Sequence, residues 1–179
     1  MILYILLALA VALAVLVIFV ALRPDEFRVA RSVTIPAPAP VVFEQVNDFH
    51  NWEGWSPWAK LDPNAKNSYE GADAGEGAKF HWEGNNQVGA GAMTLLESRP
   101  HELIRLRLEF LRPFKATNAV EFAFQPAGEG TLVTWSMTGK NNFMAKAVGL
   151  FIDCEKMCGG QFEQGLANLS SVVAEPVSR

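Results

Sequence analysis

The chain is poor in the features that most often announce chemistry or a charged partner. Among 179 residues there are two cysteines and three histidines, and the fifteen lysines and arginines are dispersed, with no basic run longer than two. A net charge of −4 and a pI near 5.4 leave no cluster of cations to neutralise a phosphate backbone, which excludes an ordinary nucleic-acid partner. No glycine-rich phosphate loop follows a strand and opens a helix. Neither a nucleophile elbow nor a His-Glu-x-x-His pair occurs. Cys154 and Cys158 have no second Cys or His pair at ligand spacing, so neither a zinc site nor any other metal or cofactor is expected. On a helix the two would share one face as small buried residues; a disulfide or redox pair is the alternative.

What the sequence does have is apolar surface. Half its residues are hydrophobic and 19% are charged, enough for a core. Met1 to Leu22 holds no charge, no proline and no glycine, and as a helix would run about 33 Å, sufficient to cross a bilayer core of about 30 Å. Arg23-Pro24 ends the run. A cleaved signal peptide would need a basic start and a shorter core, and Ala8-Leu9-Ala10 and Ala12-Leu13-Ala14 come too early to be its cleavage site. Residues 1–22 therefore read as a single-pass membrane anchor and 23–26 as a linker. Arg23, Arg28 and Arg31 follow the span while only the amino terminus precedes it, which by the positive-inside rule favours a cytoplasmic side for the rest.

Beyond the anchor the period of the hydrophobic pattern changes twice. Glu26 to Ile35 alternates as a strand, with Arg31 interrupting the apolar face. Pro36 to Pro40 stops it, and Val41, Val42, Phe43 and Val46 recur at helical spacing. Trp52, Trp55 and Trp58 then fall within seven residues, and Leu61 to Gly77 reads as irregular connection. Strands follow over 79–83, 90–99, 103–110, 117–125 and 131–138. The clearest is 103–110, where Ile104, Leu106, Leu108 and Phe110 alternate with Arg105, Arg107 and Glu109. From Asn142 to Ala174, Phe143, Ala147, Phe151, Cys154, Cys158, Phe162, Leu166, Leu169 and Val173 form one stripe of a long helix. Gly159-Gly160 should mark a kink or a close approach. An antiparallel sheet with one apolar face has only this helix to cover it, and a curved sheet gripping a helix leaves room between them.

Several short segments, in this order, resemble a known family. Arg31-Ser32-Val33-Thr34-Ile35-Pro36-Ala37, Val41-Val42-Phe43, Asn47-Asp48, Trp52 through Trp58, and Leu61-Asp62-Pro63 are similar to the opening of START-like proteins of the polyketide cyclase/dehydrase branch. Gly77-Ala78, Trp82, Gly89-Ala90-Gly91, the Gly130 to Trp135 strand and Gly165 to Leu169 continue the match, which covers about residues 27 to 173. The resemblance implies an α+β helix-grip fold: a curved antiparallel sheet wrapped around a long C-terminal helix, here over residues 27–175 with the transmembrane helix added in front. It also implies a cavity for lipids, sterols or aromatic polyketides, without implying one reaction.

The residues expected to border such a cavity are Trp52, Trp55, Trp58, Trp82, Phe110, Phe122, Phe124, Trp135, Met137, Phe151, Cys158 and Phe162. The tryptophan cluster would either gate the cavity or pin the loop to the sheet. Only one of His81 and Trp82 can point inward, and His81, if inward, is the sole candidate for a general acid or base. Three functions follow. The first is a membrane-anchored module binding a lipid or other apolar or aromatic small molecule. The second is a cyclase or dehydratase that holds its substrate in the same cavity. The third resembles the chaperone activators of the superfamily, with Arg105, Arg107, Glu109 and Glu121 on the partner surface.

Overall fold

The computed structural model describes residues 1–150 and 154–174. Phe151 and the side chain of Cys154 lie outside the described residues. Helix α1 (Ile2–Ala21) takes up the uninterrupted apolar run, and all its side chains except Val20 are exposed. Strand β1 (Glu26–Ile35) follows, and α2 (Ala39–Asn47) starts on the proline stretch, with Pro40 in its first turn. Its apolar spacing buries Val42, Phe43 and Val46. A single 3-10 turn leads to the four-residue helix α3 (Trp52–Trp55).

Six more strands complete one seven-stranded antiparallel sheet: β2 (Lys66–Glu70), β3 (Lys79–Glu83), β4 (Ala90–Arg99), β5 (Leu103–Arg112), β6 (Ala116–Ala127) and β7 (Gly130–Lys140). The spatial order is β1-β7-β6-β5-β4-β3-β2, so β2 to β7 form a meander and β1 closes on its far edge. The chain crosses from β1 to β2 by way of α2 and α3. Helix α5 (Cys154–Ala174) lies across the concave face and buries Phe162, Leu166 and Leu169 against it. This is the helix-grip architecture.

Two elements differ from the pattern read in the sequence. β2 lies in the stretch expected to be irregular. Every one of its side chains is exposed, so no apolar alternation marks it; it exists through backbone pairing with β3, from Lys66 opposite Glu83 to Glu70 opposite Lys79. The single helix expected over 142–174 is two helices. Asn142 caps α4 (Phe143–Val148) by accepting from the Ala145 N–H at 2.8 Å, and Gly149 ends it. α4 packs on the foot of α1. A stripe at helical spacing does not state which surface it faces.

Gly159-Gly160 causes no break in α5. Arg31, the interruption on the inner face of β1, explains Gly159. Its guanidinium lies where a Gly159 side chain would begin, with Nη2 only 2.0 Å from the position of a Cβ. From there Nη1 bonds Glu155 at 2.7 Å and Nε bonds Glu163 at 2.6 Å, tying α5 to β1. These two carboxylates hold the Arg31 pKa above its ordinary value.

Candidate functional site

The concave face is filled at one end and open at the other. At the end reached by α2 and α3, Ile35, Val42, Val46, Trp55, Phe122 and Val133 are fully buried. Toward the opposite end the same strands border an open space of about 350 Å³ between the sheet and α5. Its apolar wall comes from Phe80 and Trp82 on β3, Met93 on β4, Leu106, Leu108 and Phe110 on β5, Val120 on β6, Trp135 and Met137 on β7, and Cys158 and Phe162 on α5. Trp82 can lie flat over β4 because Gly91 stands opposite it; a Cβ there would meet the indole at 2.4 Å.

Trp135 organises the boundary between the two ends. It stacks on Phe162 at 4.2 Å and on Phe122 at 4.8 Å, and meets the edges of Trp52, Trp55 and Trp58. Gly165 on α5 admits it, since a Cβ there would touch the ring at 2.7 Å. Trp52 and Trp55 donate their Nε1–H groups to the Val46 and Gln45 carbonyls, both at 3.0 Å, which fixes α3 to α2. Trp82 donates to the Val88 carbonyl at 2.9 Å. The Nε1 of Trp135, by contrast, is buried without a hydrogen-bond partner, an unmet cost for a group that borders an open space.

Polar groups collect at the rim. Glu53, Ser56, Asp62, Asn67, Tyr69 and Gln87 all border the space. Asp62 is occupied as a structural acceptor, taking the N–H groups of Asn64 at 3.0 Å and Asn85 at 2.6 Å. His50 stacks on Tyr69 at 4.0 Å and is oriented by Asp48, whose Oδ1 lies 2.7 Å from Nδ1. Burial raises the Tyr69 pKa above its ordinary value, with Glu53 and Asp48 adding to the effect, so its phenol stays neutral. Among the described residues no group of three or more His, Cys, Asp or Glu is placed to hold a metal ion.

Of the residues expected around the cavity, Trp52, Trp58, Trp82, Phe110, Trp135, Met137, Cys158 and Phe162 border the space. Trp55, Phe122 and Phe124 do not: they face inward as their alternation requires, but toward the filled end, at 0%, 0% and 4% exposure. Phe151 lies outside the described residues. His81 is on the other face of β3. Phe80 and Trp82 take the inward positions, and His81 lies among Ser68, Glu83 and Arg112 on the outer side, its Nε2 3.6 Å from Glu70. It is not among the residues that border the space inside the sheet. Within the tryptophan cluster the roles divide: Trp55 is a packing residue, and Trp58, at 36% exposure, stands at the rim over Trp135 and Phe162. The sequence reading missed Phe80, Leu106, Leu108 and Val120, although they share the alternation of their neighbours. It also missed Tyr69 and Asn67, which sit on the strand without an apolar pattern.

Comparison with known proteins agrees with this architecture. No curated protein matches the chain. Among solved structures, a protein from Chromobacterium violaceum superposes with a TM-score of 0.60 at 18% identity, covering 86% of this chain and 100% of its own. The Aha1 dimer from Colwellia psychrerythraea gives 0.59 at 11% identity, covering 82% and 96%. Ara h 8.0201 gives 0.58 at 13% identity, covering 83% and 98%. At such identities the likeness establishes the fold alone. The family profile described as "Polyketide cyclase / dehydrase and lipid transport" matches residues 26–174, the whole sheet together with α2 to α5, and the chain belongs to that family.

Proposed function

We propose that this protein is a membrane-anchored module that holds an apolar or aromatic small molecule, or the hydrocarbon part of a lipid, between the sheet and α5. One observation carries the reading: an apolar-walled space of about 350 Å³ remains where the rest of the concave face is packed solid. Binding pockets span about 300–1,000 Å³, so the guest is small, one ring system or a stretch of one acyl chain. The polar rim suits an amphipathic molecule whose head stays near water. The unpartnered Trp135 Nε1 favours a guest with a carbonyl or hydroxyl oxygen to accept from it. Helix α1, long enough to span a bilayer and exposed along its length, supplies the anchor. Arg23 and Arg28 just beyond it favour a cytoplasmic domain.

The test is native mass spectrometry of the full chain extracted from membranes, followed by titration of the delipidated protein with a medium-chain fatty acid read by tryptophan fluorescence. Leu108→Phe with Val120→Phe fills the space. Wild type should carry or bind a guest that the filled variant does not; equal binding by both removes the reading. An intact mass lacking residues 1–22 would identify that segment as a removed signal and not an anchor.

A second reading, a cyclase or dehydratase acting on the same guest, rests on Tyr69 and Glu53 at the rim, with the Asp48–His50 pair against Tyr69. Holding a flexible substrate beside a neutral phenol is a means of acceleration in itself. Tyr69→Phe should then abolish turnover of an aromatic polyketide substrate while leaving its binding intact. The partner-surface reading has less support, because the outer-face charges already satisfy one another: Arg105 with Glu121 and Glu97, both at 2.8 Å, and Arg107 with Glu109 at 3.0 Å.

A further inference from the structure

The foot of α1 is not a loose tether. Arg23 Nη1 donates to the Gly149 carbonyl at 3.0 Å, and Lys146, only 8% exposed, reaches the Ala21 carbonyl at 3.2 Å and pairs with Asp25. The Asn141 N–H donates to the Asp25 carbonyl at 2.6 Å. Helix α4 is thereby clamped across the end of α1, and the domain has one orientation relative to it. The strand register defines which end of the sheet this is. Glu26 faces Lys140, and Gly139 faces both Phe27 and Asn118, so the β5–β6 tip at 113–115 projects from the same end as α4.

That end is where exposed apolar side chains gather. Among the described residues that follow α1, five large apolar side chains are more than half exposed. Leu22 (80%), Leu111 (56%), Phe114 (82%) and Met144 (67%) lie at this end, and Met157 (60%) lies in the first turn of α5. A soluble surface seldom gathers such side chains without a use for them. Lys115 and Lys140 stand among them, the mixture that suits an anionic lipid headgroup layer.

We propose that this end is a lipid-facing surface. With α1 across the bilayer, α4 and the 111–115 tip rest in the interfacial layer, Phe114 and Met144 immersed and the two lysines at the headgroups. The inference rests on the reading of α1 as an anchor and goes beyond it: it fixes the pose of the domain and puts the open half of the interior, with Phe110 and Met137, on the bilayer side. A domain held this way exchanges an apolar guest with the membrane without carrying it through water.

The experiment uses the full chain in phosphatidylcholine–phosphatidylglycerol vesicles, with Cys154→Ala and Cys158→Ala as background. Single nitroxide labels at Phe114→Cys, Met144→Cys, Leu9→Cys and Glu129→Cys are read by collision with oxygen and with an aqueous nickel chelate. Glu129 lies in the β6–β7 turn, at the far end of the sheet. The labels at 114 and 144 should show an oxygen-to-nickel ratio several-fold above that at 129, and approaching that at 9. If the label at 9 is deep in lipid while 114 and 144 meet the chelate as freely as 129, the surface is overturned and the anchor stands. If the label at 9 itself meets the chelate, the anchor reading fails and the surface with it. Shielding of 114 from both reagents would mean a protein covers it, which also overturns the proposal.

Discussion

The two ends of the concave face are built from the same strands with the same alternation, yet one is solid and the other is open. β5 passes from buried Ile104 to half-buried Phe110, while on β6 and β7 the inward residues stay buried and Val120 and Met137, at the open end, border the space. What differs is the cover. α2 and α3 drop onto the solid end and fill it with Val42, Val46 and Trp55, whereas the open end has α5 above it and, on its near side, the edge of α3 at Trp52, the rim loop and β2. Alternation states which side chains point inward. Whether they meet other atoms there depends on a layer that comes from elsewhere in the chain.

The contrast can be broken or sharpened by paired substitutions. The largest difference is expected between Phe122→Ala and Phe110→Ala in denaturant unfolding of the full chain in detergent. The first leaves a cavity in packed surroundings and should cost about 3–5 kcal/mol; the second, beside space already open, should cost less than about half of that. Equal losses would mean the two ends are packed alike. Val133→Phe and Val120→Phe reverse the logic: overpacking the solid end should cost about 1–3 kcal/mol, while the open end accommodates the ring with less than about 1 kcal/mol. Gly165→Ala tests the boundary. Helix propensity alone would gain about 1 kcal/mol, but the new methyl meets the stacked Trp135 ring and Pro57, so thermal unfolding should move down, not up.

The smallest effect is at the rim. Burial favours the neutral Tyr69 phenol, so a difference titration of phenolate absorbance, wild type against Tyr69→Phe, should place its midpoint above 10.0. Because the native state holds this proton more tightly than the unfolded chain, its contribution to stability is intact below the unfolded tyrosine pKa of about 10. It is lost as pH rises through the folded value. A midpoint at or below that of free tyrosine would show the rim to be wetter than its geometry.

Much of the fold could be read from local pattern. β4 to β7 announce themselves because each has one apolar and one polar face, and α5 because Phe162, Leu166 and Leu169 recur at its period. β2 was illegible for the opposite reason: an edge strand with every side chain exposed carries no burial signal, and only its hydrogen bonds to β3 create it. The break between α4 and α5 was hidden because Phe143 and Ala147 keep the helical step, although α4 lies against α1 and Phe143 stays exposed. Arg31 reads as a flaw in β1 until Glu155, Gly159 and Glu163 are brought opposite it by α5.

The amino-acid order by itself determined the elements and their inward faces, since period, proline placement and the uncharged first segment are properties of neighbouring residues. It determined in that way that Trp82 and not His81 could share a face with Phe80. Tertiary structure alone decided that Trp55, Phe122 and Phe124 are sealed in while Phe110 and Met137 border open space, and that α4 locks onto the foot of α1. Those outcomes depend on which distant segments meet, and contacts between segments far apart in the chain leave no periodic trace in either one.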